Sequence, residues 1–135
     1  MSKIELPAII SSLPKALDFL REQGATHGLV ENSIYQMEIA LEEAIVNIML
    51  YAYPEPSSEQ RFSLEILGDA KECRLIITDS GLAFDPTAHV PDTDIESEDR
   101  DVGGLGIFFI YKYADRVAYV RLGNTNQLTL FKNRG

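Results

Sequence analysis

The sequence has one cysteine, no tryptophan and no long apolar run. Cys73 alone cannot form an internal disulfide, and one cysteine with two histidines cannot build a structural zinc site. No stretch approaches the roughly 18 consecutive apolar residues that cross a bilayer. The first residues, Met1–Glu5, place an acid early and lack the apolar segment of a signal peptide. These absences predict a cytoplasmic protein that does not bind membranes.

Positive charge is scarce as well, because 12 lysines and arginines face 21 aspartates and glutamates and leave a net charge of -9. Binding to nucleic acid requires a basic surface, so we expect no direct nucleic-acid partner. An acidic protein that binds a polyphosphate needs backbone N–H groups, a metal ion or a few well-placed cations to offset the repulsion. The length of 135 residues suits one domain with its own core, and we expect a single domain over residues 1–135.

Helical and strand-like patterns mix along the chain, and the strand-like runs occur in adjacent pairs. The predicted elements are a strand at Lys3–Leu6, helices from Ser11 or Ser12 to Gly24 and from about Asn32 to Tyr53, strands at 61–67 and 72–79, a helix after Gly104, and strands at 117–122 and 127–132. Adjacent strand pairs favour an α+β sandwich with much antiparallel pairing over a doubly wound parallel sheet. Residues 85–103 carry many acids and few apolar side chains, which is typical of a functional lid or a disordered segment.

Several well-known nucleotide and catalytic motifs are missing. The sequence contains no G-x-x-x-x-G-K-[ST] phosphate loop, no protein-kinase signature set and no G-x-S-x-G elbow. The glycines near position 104 do not follow a strand, as they would in a dinucleotide-binding fingerprint. Any nucleotide site in this chain must therefore have another design.

Glu43 and Asn47, in the long predicted helix, form the first patch that can carry chemistry. Their spacing of four places them one turn apart on the same face. Asn47 stands among aliphatic residues and tyrosines, so we expect it to be buried, where an amide without partners costs about 1–3 kcal/mol. Its carbonyl oxygen suits magnesium, and Glu43 can polarise an attacking hydroxyl or water. The alternative is that Asn47 is hydrogen-bonded to nearby backbone and that Glu43 is simply solvated.

Asp79 and Gly81, at the end of an apolar strand, form the second patch. An aspartate at such a strand end can present its carboxylate to a flat ligand, and the glycine lets the backbone stay close. The carboxylate could accept the exocyclic amine of adenine. An ordinary turn is the alternative, because Asp-Ser-Gly is common turn chemistry.

The third patch is the run Gly103–Gly106, which opens a helix directly after the acidic segment. Glycines at a helix start expose consecutive N–H groups, and the helix dipole adds positive potential, so the run can cradle phosphate. Such a cradle would also let an acidic protein bind a polyphosphate without a lysine cluster. A flexible hinge or a tightly packed helix start is the alternative.

Three short motifs occur in the order of a known family: E-x-x-x-N (Glu43, Asn47), D-x-G (Asp79, Gly81) and G-x-G (Gly104, Gly106). They resemble the N, G1 and G2 boxes of the GHKL ATPases, which share the Bergerat ATP-binding fold. The phrases EEAIVN, AYP, DSGLAFDP and GGLGIFFIYKYADRVAYVR are similar to the RsbW/SpoIIAB-type anti-sigma-factor serine kinases, over essentially the whole chain. The resemblance implies a two-layer α/β sandwich with helices on one face of a mixed, largely antiparallel sheet.

The resemblance also implies ATP and Mg2+ as cofactors, with residues 85–103 as the ATP lid. The implied roles are Glu43 as general base, Asn47 as magnesium ligand, Asp79 as acceptor for the adenine amine with Gly81 and Ala83 beside the nucleotide, Gly104, Leu105 and Gly106 at the phosphates, and Thr129 near the adenine.

The sequence departs from the family pattern in places. Tyr51 stands where the family often has histidine, and Ala83 replaces the second glycine of the G1 box. A cation is expected near the terminal phosphate, and Arg100 is the only arginine or lysine in the lid. Arg100 does not match a family position, and a lone lid arginine is more often simply solvated.

By this resemblance the chain would be a serine/threonine protein kinase that phosphorylates a small STAS-domain anti-anti-sigma protein. It would itself act as an anti-sigma factor or partner-switching regulator, holding a sigma factor, and would form a homodimer. The alternative is a binding module in which the nucleotide only sets the lid conformation and so holds or releases a partner.

Overall fold

The computed structural model describes residues 3–55, 57, 59–89 and 104–134, with the backbone alone at residues 89 and 104–106. Five strands and three helices lie within these ranges. They are β1 (Lys3–Pro7), α1 (Leu13–Thr26), α2 (Glu31–Asn47), β2 (Arg61–Gly68), β3 (Glu72–Asp79), α3 (Gly104–Tyr113), β4 (Arg116–Leu122) and β5 (Thr125–Asn133). Short 3-10 turns occur at Ile10–Ser12 and Pro86–His89, and a π-helical turn at Ile48–Ala52 continues α2.

The described strands form one sheet in the order β1-β2-β3-β5-β4, and all four of its pairings are antiparallel. This confirms the expected α+β class and its antiparallel pairing, but the sheet is not mixed within the described residues. Two hairpins join neighbours in sequence, β2 with β3 and β4 with β5. The second hairpin turns at Gly123, whose φ of 63° favours glycine.

Alternation along the strands gives the sheet one buried face and one partly open face. The buried face carries aliphatic side chains with almost no exposure, among them Leu64, Ile66, Leu75, Ile77 and Leu130. The helices cover this face: α2 packs against both α1 and α3, and α1 contacts β2. The core therefore lies between a single helix layer and the sheet. No helix within the described ranges combines the length and apolarity needed to cross a membrane.

Two helix boundaries differ from the sequence prediction. Gly24 was expected to end the first helix, but α1 continues to Thr26, and Gly28 takes the left-handed conformation (φ 85°) beyond it. Gly24 instead lies inside α1, where an added Cβ would sit 3.4 Å from Ile34 of α2, so it permits close helix packing. The second helix was expected to reach Tyr53, but its last turn is π-helical, closed by the Tyr53 N–H donating to the Ile48 carbonyl at 2.9 Å.

Candidate functional site

Asn47 is the last residue of α2 and is buried, with only 4 % of its surface exposed. This confirms the burial predicted from its aliphatic neighbours. Its side-chain Nδ2 has no hydrogen-bond partner among the described residues. A buried amide hydrogen-bond donor without a partner is costly, about 1–3 kcal/mol. Within the described part of the chain, the fold therefore leaves the donor end of this amide unused.

Glu43 lies one turn before Asn47 on α2 and is half-buried. Burial raises the pKa of Glu43 above its ordinary value, and repulsion from the neighbouring Glu42 carboxylate raises it further. A raised pKa makes the ionised carboxylate a stronger proton acceptor near neutral pH. Glu42 itself is exposed, so the two adjacent glutamates differ in surroundings.

Asp79 ends β3 and is 5 % exposed. Its Oδ1 accepts hydrogen bonds from the Gly81 N–H at 2.8 Å and from the Asn126 side-chain Nδ2 at 2.9 Å. Burial raises the pKa of Asp79, while these two hydrogen bonds and the Arg121 charge act in the opposite direction and only partly offset it. The result is a buried carboxylate at the edge of the core, held by one of its two oxygens.

Asn126 lies directly opposite Asp79 in the pairing of β3 with β5, and it is 4 % exposed. Its Nδ2 donates to Asp79 and to the Leu82 carbonyl at 2.7 Å. Its Oδ1 accepts from the Tyr119 hydroxyl, from Arg121 Nη1 at 3.1 Å and from the Phe84 N–H at 3.3 Å. This amide is therefore fully used, unlike that of Asn47.

A small cavity lies between the end of α2 and the ends of β3 and β5, and both asparagines and Asp79 line it. The other lining residues are Ala44, Ile48, Ala52, Ile77, Phe84, Pro86, Tyr119 and Leu128. Its volume of about 20 Å³ has room for about one water molecule. As bounded by the described residues, this cavity is smaller than a purine ring.

Phe84 and Tyr51 form the outer part of this region. Their rings stack with centroids 4.9 Å apart and an interplanar angle of 22°. Tyr51 belongs to the π-helical turn, whereas Phe84 lies in the segment that follows β3. The stack therefore joins the helix layer to the cavity wall at the position where the family often has histidine.

Gly81 allows close packing of the turn that follows β3. A Cβ built on Gly81 would lie 2.4 Å from the Ala52 carbonyl oxygen and 2.8 Å from the Ala52 Cβ. The next residue, Leu82, donates its N–H to the same carbonyl at 2.8 Å. The glycine thus lets the turn after β3 lie directly on the π-helical turn, and this contact fixes the edge of the cavity.

The remaining sequence-predicted residues occupy different places. Ala83 is exposed and does not line the cavity. Thr129 pairs with Ile76 on the sheet face opposite Asp79, so the structure does not bring it to the cavity. Gly104, Leu105 and Gly106 form the first turn of α3, as the helix prediction required. Most of the predicted lid, residues 90–103 with Gly103 and Arg100, lies outside the described residues.

Sequence reasoning missed Asn126, Tyr119 and Phe84 as cavity residues. A signal for Asn126 was present, because Leu128 and Leu130 alternate on the buried side of β5 and the same period of two reaches position 126. Tyr119 follows from the register, since it pairs with Leu128. Phe84 carries no such periodic signal because it lies outside any strand or helix.

The donor set fits a nucleotide with one magnesium ion. The Asn47 amide, whose Nδ2 has no partner among the described residues, can rotate to present its carbonyl oxygen, a hard ligand of the kind that Mg2+ accepts singly beside phosphate oxygens and water. The Asp79 carboxylate can accept an amine from a flat base held between apolar walls.

Comparison with known proteins agrees with this geometry. The sequence profile of the histidine kinase-like ATPase domain matches residues 6–132. No curated protein sequence is significantly similar to the chain. The crystal structure of the RsbU and RsbW domains of Rv1364c from Mycobacterium tuberculosis is similar, with a TM-score of 0.61 and 16% sequence identity over 97% of this chain. The alignment covers 32% of that chain, so this chain spans about a third of its length, and at this identity the likeness shows the fold alone.

Proposed function

The chain belongs to the histidine kinase-like ATPase domain family, and from this premise we propose that it is an ATP-dependent serine/threonine protein kinase. Its substrate would be a STAS-domain anti-anti-sigma protein. The chain would itself act as an anti-sigma factor or partner-switching regulator, with a sigma factor as its second partner. It would form a homodimer. The likeness in fold to a structure that contains an RsbW domain and the sequence phrases described above support this choice of output.

One observation carries the proposal: Nδ2 of the buried Asn47 amide has no partner among the described residues, and Asn47 lines the same cavity as the buried carboxylate of Asp79. A buried donor without a partner is costly unless water or a ligand satisfies it. Asn47 would hold magnesium and Asp79 would accept the base amine. When bound, the metal ion would neutralise charge on the phosphate oxygens.

Glu43 supplies the group that would make the bound nucleotide reactive toward a hydroxyl. Its half-buried carboxylate, with a raised pKa, would take the proton of the acceptor serine or threonine. The hydroxyl oxygen would form a bond to the terminal phosphorus while the bond from that phosphorus to the leaving ADP oxygen breaks. The proton stays on Glu43 until solvent removes it.

Nucleotide binding is tested by thermal unfolding with ATP and ADP, each with and without magnesium. We expect magnesium-dependent stabilisation of the wild type and its loss in Asn47→Ala. Asn32→Ala is a matched control, because Asn32 is an exposed asparagine at the opposite end of the same helix. Absent or magnesium-independent stabilisation of the wild type would count against the site as a whole.

Phosphate transfer is tested with γ-labelled ATP and STAS-domain proteins of the source organism. We expect Glu43→Ala to slow transfer by about 10²–10⁴-fold, the usual worth of a general base. Glu42→Ala should transfer at nearly the wild-type rate, because Glu42 is exposed. Normal transfer by Glu43→Ala would remove the general-base assignment.

Nucleotide binding without transfer to any STAS protein would favour the alternative function, a nucleotide-gated binding module. One structural observation supports that alternative, because the cavity in its present form is too small for a purine. Nucleotide binding in this cavity would therefore move part of its wall, and such a movement can by itself alter a partner surface.

A further inference from the structure

Asn126 holds the carboxylate of Asp79 from the neighbouring strand. Both hydrogen bonds that Asp79 accepts from the described residues end on Oδ1, one from Gly81 and one from Asn126. We infer that Asn126 is a positioning residue for base recognition: it occupies one carboxylate oxygen and leaves the other to accept the amino group of a 6-aminopurine. The inference rests on the proposed nucleotide binding at this cavity.

The orientation of the Asn126 amide is fixed by its surroundings. Three donors, the Tyr119 hydroxyl, the Arg121 guanidinium and the Phe84 N–H, converge on its oxygen. Its nitrogen faces two acceptors, Asp79 Oδ1 and the Leu82 carbonyl. A flipped amide would place hydrogen-bond donors against donors at one end and acceptors against an acceptor at the other. The N–H that reaches Asp79 is therefore set by the network and not by the ligand.

The same network also fixes the turn that follows β3. Arg121 Nη1 donates to the Gly81 carbonyl at 2.9 Å as well as to Asn126 Oδ1. Gly81 is in turn the second donor to Asp79 Oδ1. Since β4 and β5 supply Tyr119, Arg121 and Asn126, the orientation of the carboxylate depends on two strands outside its own.

Asn126 offers no free hydrogen-bond donor to a base. An amide nitrogen has two hydrogens, and both are used by Asp79 and Leu82. The polar group presented to the base edge is thus the second oxygen of Asp79, which is an acceptor. An amino group at the purine 6-position is matched by it, whereas a 6-oxo group would place oxygen against oxygen.

The role of Asn126 is tested by measuring the affinities for ATP and for the triphosphate of purine riboside, which lacks the 6-amino group. The two affinities distinguish a positioning role of Asn126 from a structural one. In the wild type we expect ATP to bind about 10–100-fold more tightly, the worth of a hydrogen bond to a charged group. In Asn126→Ala the affinity for ATP should fall by most of that factor and the affinity for the analogue much less, so that their ratio approaches one. Asn124→Ala, an exposed asparagine two residues earlier, should keep the wild-type ratio.

A merely structural role for Asn126 predicts equal weakening of both nucleotides, and an unchanged ratio in Asn126→Ala would therefore overturn the inference. Tyr119→Phe removes one donor to the amide and decides the question if Asn126→Ala does not fold: a reduced ratio supports positioning, and a full ratio opposes it. A wild type that binds both nucleotides equally overturns the inference while nucleotide binding stands. A wild type that binds neither removes the proposed function as well.

Discussion

Asn47 and Asn126 are both 4 % exposed and line the same cavity, but their hydrogen bonding differs. The amide of Asn126 uses its oxygen and both N–H groups, whereas Nδ2 of Asn47 has no partner within the described part of the chain. Replacing each asparagine by leucine, an apolar residue of similar shape, should therefore change stability in opposite directions. Asn47→Leu should stabilise the nucleotide-free protein, and Asn126→Leu should destabilise it.

The magnitude follows from the polar groups removed. Leucine at position 47 removes the penalty of an unpaired buried donor, about 1–3 kcal/mol. The adjoining cavity of about 20 Å³ gives room for the branched end of leucine, so overpacking should be small. For a domain of this size 1 kcal/mol corresponds to about 4 °C in Tm, which gives a rise of about 4–12 °C. Leucine at position 126 removes one of the two hydrogen bonds that Asp79 accepts and the acceptor of the Tyr119 hydroxyl, so it should cost roughly 3 kcal/mol or more.

Urea unfolding without nucleotide measures the stability of the free protein. Thermal unfolding with saturating ATP and magnesium then measures the stabilisation by ligand. The wild type should gain about 3 kcal/mol at a ligand concentration near 100 times Kd, and Asn47→Leu should gain nothing. The variant would then be more stable than the wild type when free and less responsive to ligand. An Asn47→Leu protein that unfolds at lower urea than the wild type would show that the amide is already satisfied, and the reasoning from its burial would fail.

Three further predictions concern the end of β3 and the turn that follows it. Gly81→Ala should destabilise the protein by about 1–3 kcal/mol in urea unfolding, because its Cβ would meet the Ala52 carbonyl oxygen at 2.4 Å; an unchanged midpoint would contradict this. Phe84→Ala should break the stack with Tyr51 and widen the cavity. A fluorescent ATP analogue should therefore associate faster in stopped flow, and slower association would contradict the role of Phe84 as a wall of the cavity. For Asp79, burial raises the pKa, so the folded protein takes up this proton at a higher pH than the unfolded chain. The free energy of unfolding relative to Asp79→Asn should therefore rise as pH falls through the raised pKa, while ATP affinity falls over the same range; parallel profiles would contradict the shift.

The parts of the site that depend on local spacing could be predicted from the sequence. Glu43 and Asn47 share a helix face because they are four residues apart, and the burial of Asn47 follows from its aliphatic neighbours. The hairpin of β2 and β3 could be predicted because strand alternation and a short turn lie next to each other in the chain. In both cases the residues that decide the structure are within a few positions of one another.

The parts that depend on distant contacts could not be predicted. Gly81 looked like a residue that lets a ligand approach, but the group that approaches it is Ala52, which is 29 positions earlier and is brought there by the π-helical turn. No pattern in the sequence marks that turn, because its residues read as a continuation of α2. The stacking of Tyr51 on Phe84 depends on the same turn and could not be predicted from the sequence either.

The resemblance to the family implies that Thr129 lies near the base, and the register of β5 places Asn126 rather than Thr129 on the cavity. A shift of an odd number of residues along a strand moves a side chain to the other face, and positions 126 and 129 differ by three. Family resemblance fixes which strand borders the cavity, but only alternation with the buried Leu128 and Leu130 fixes which of its residues faces inward. The fold thus completes the Asp79 side of the cavity with its own amide, whereas Nδ2 of Asn47 has no partner among the described residues.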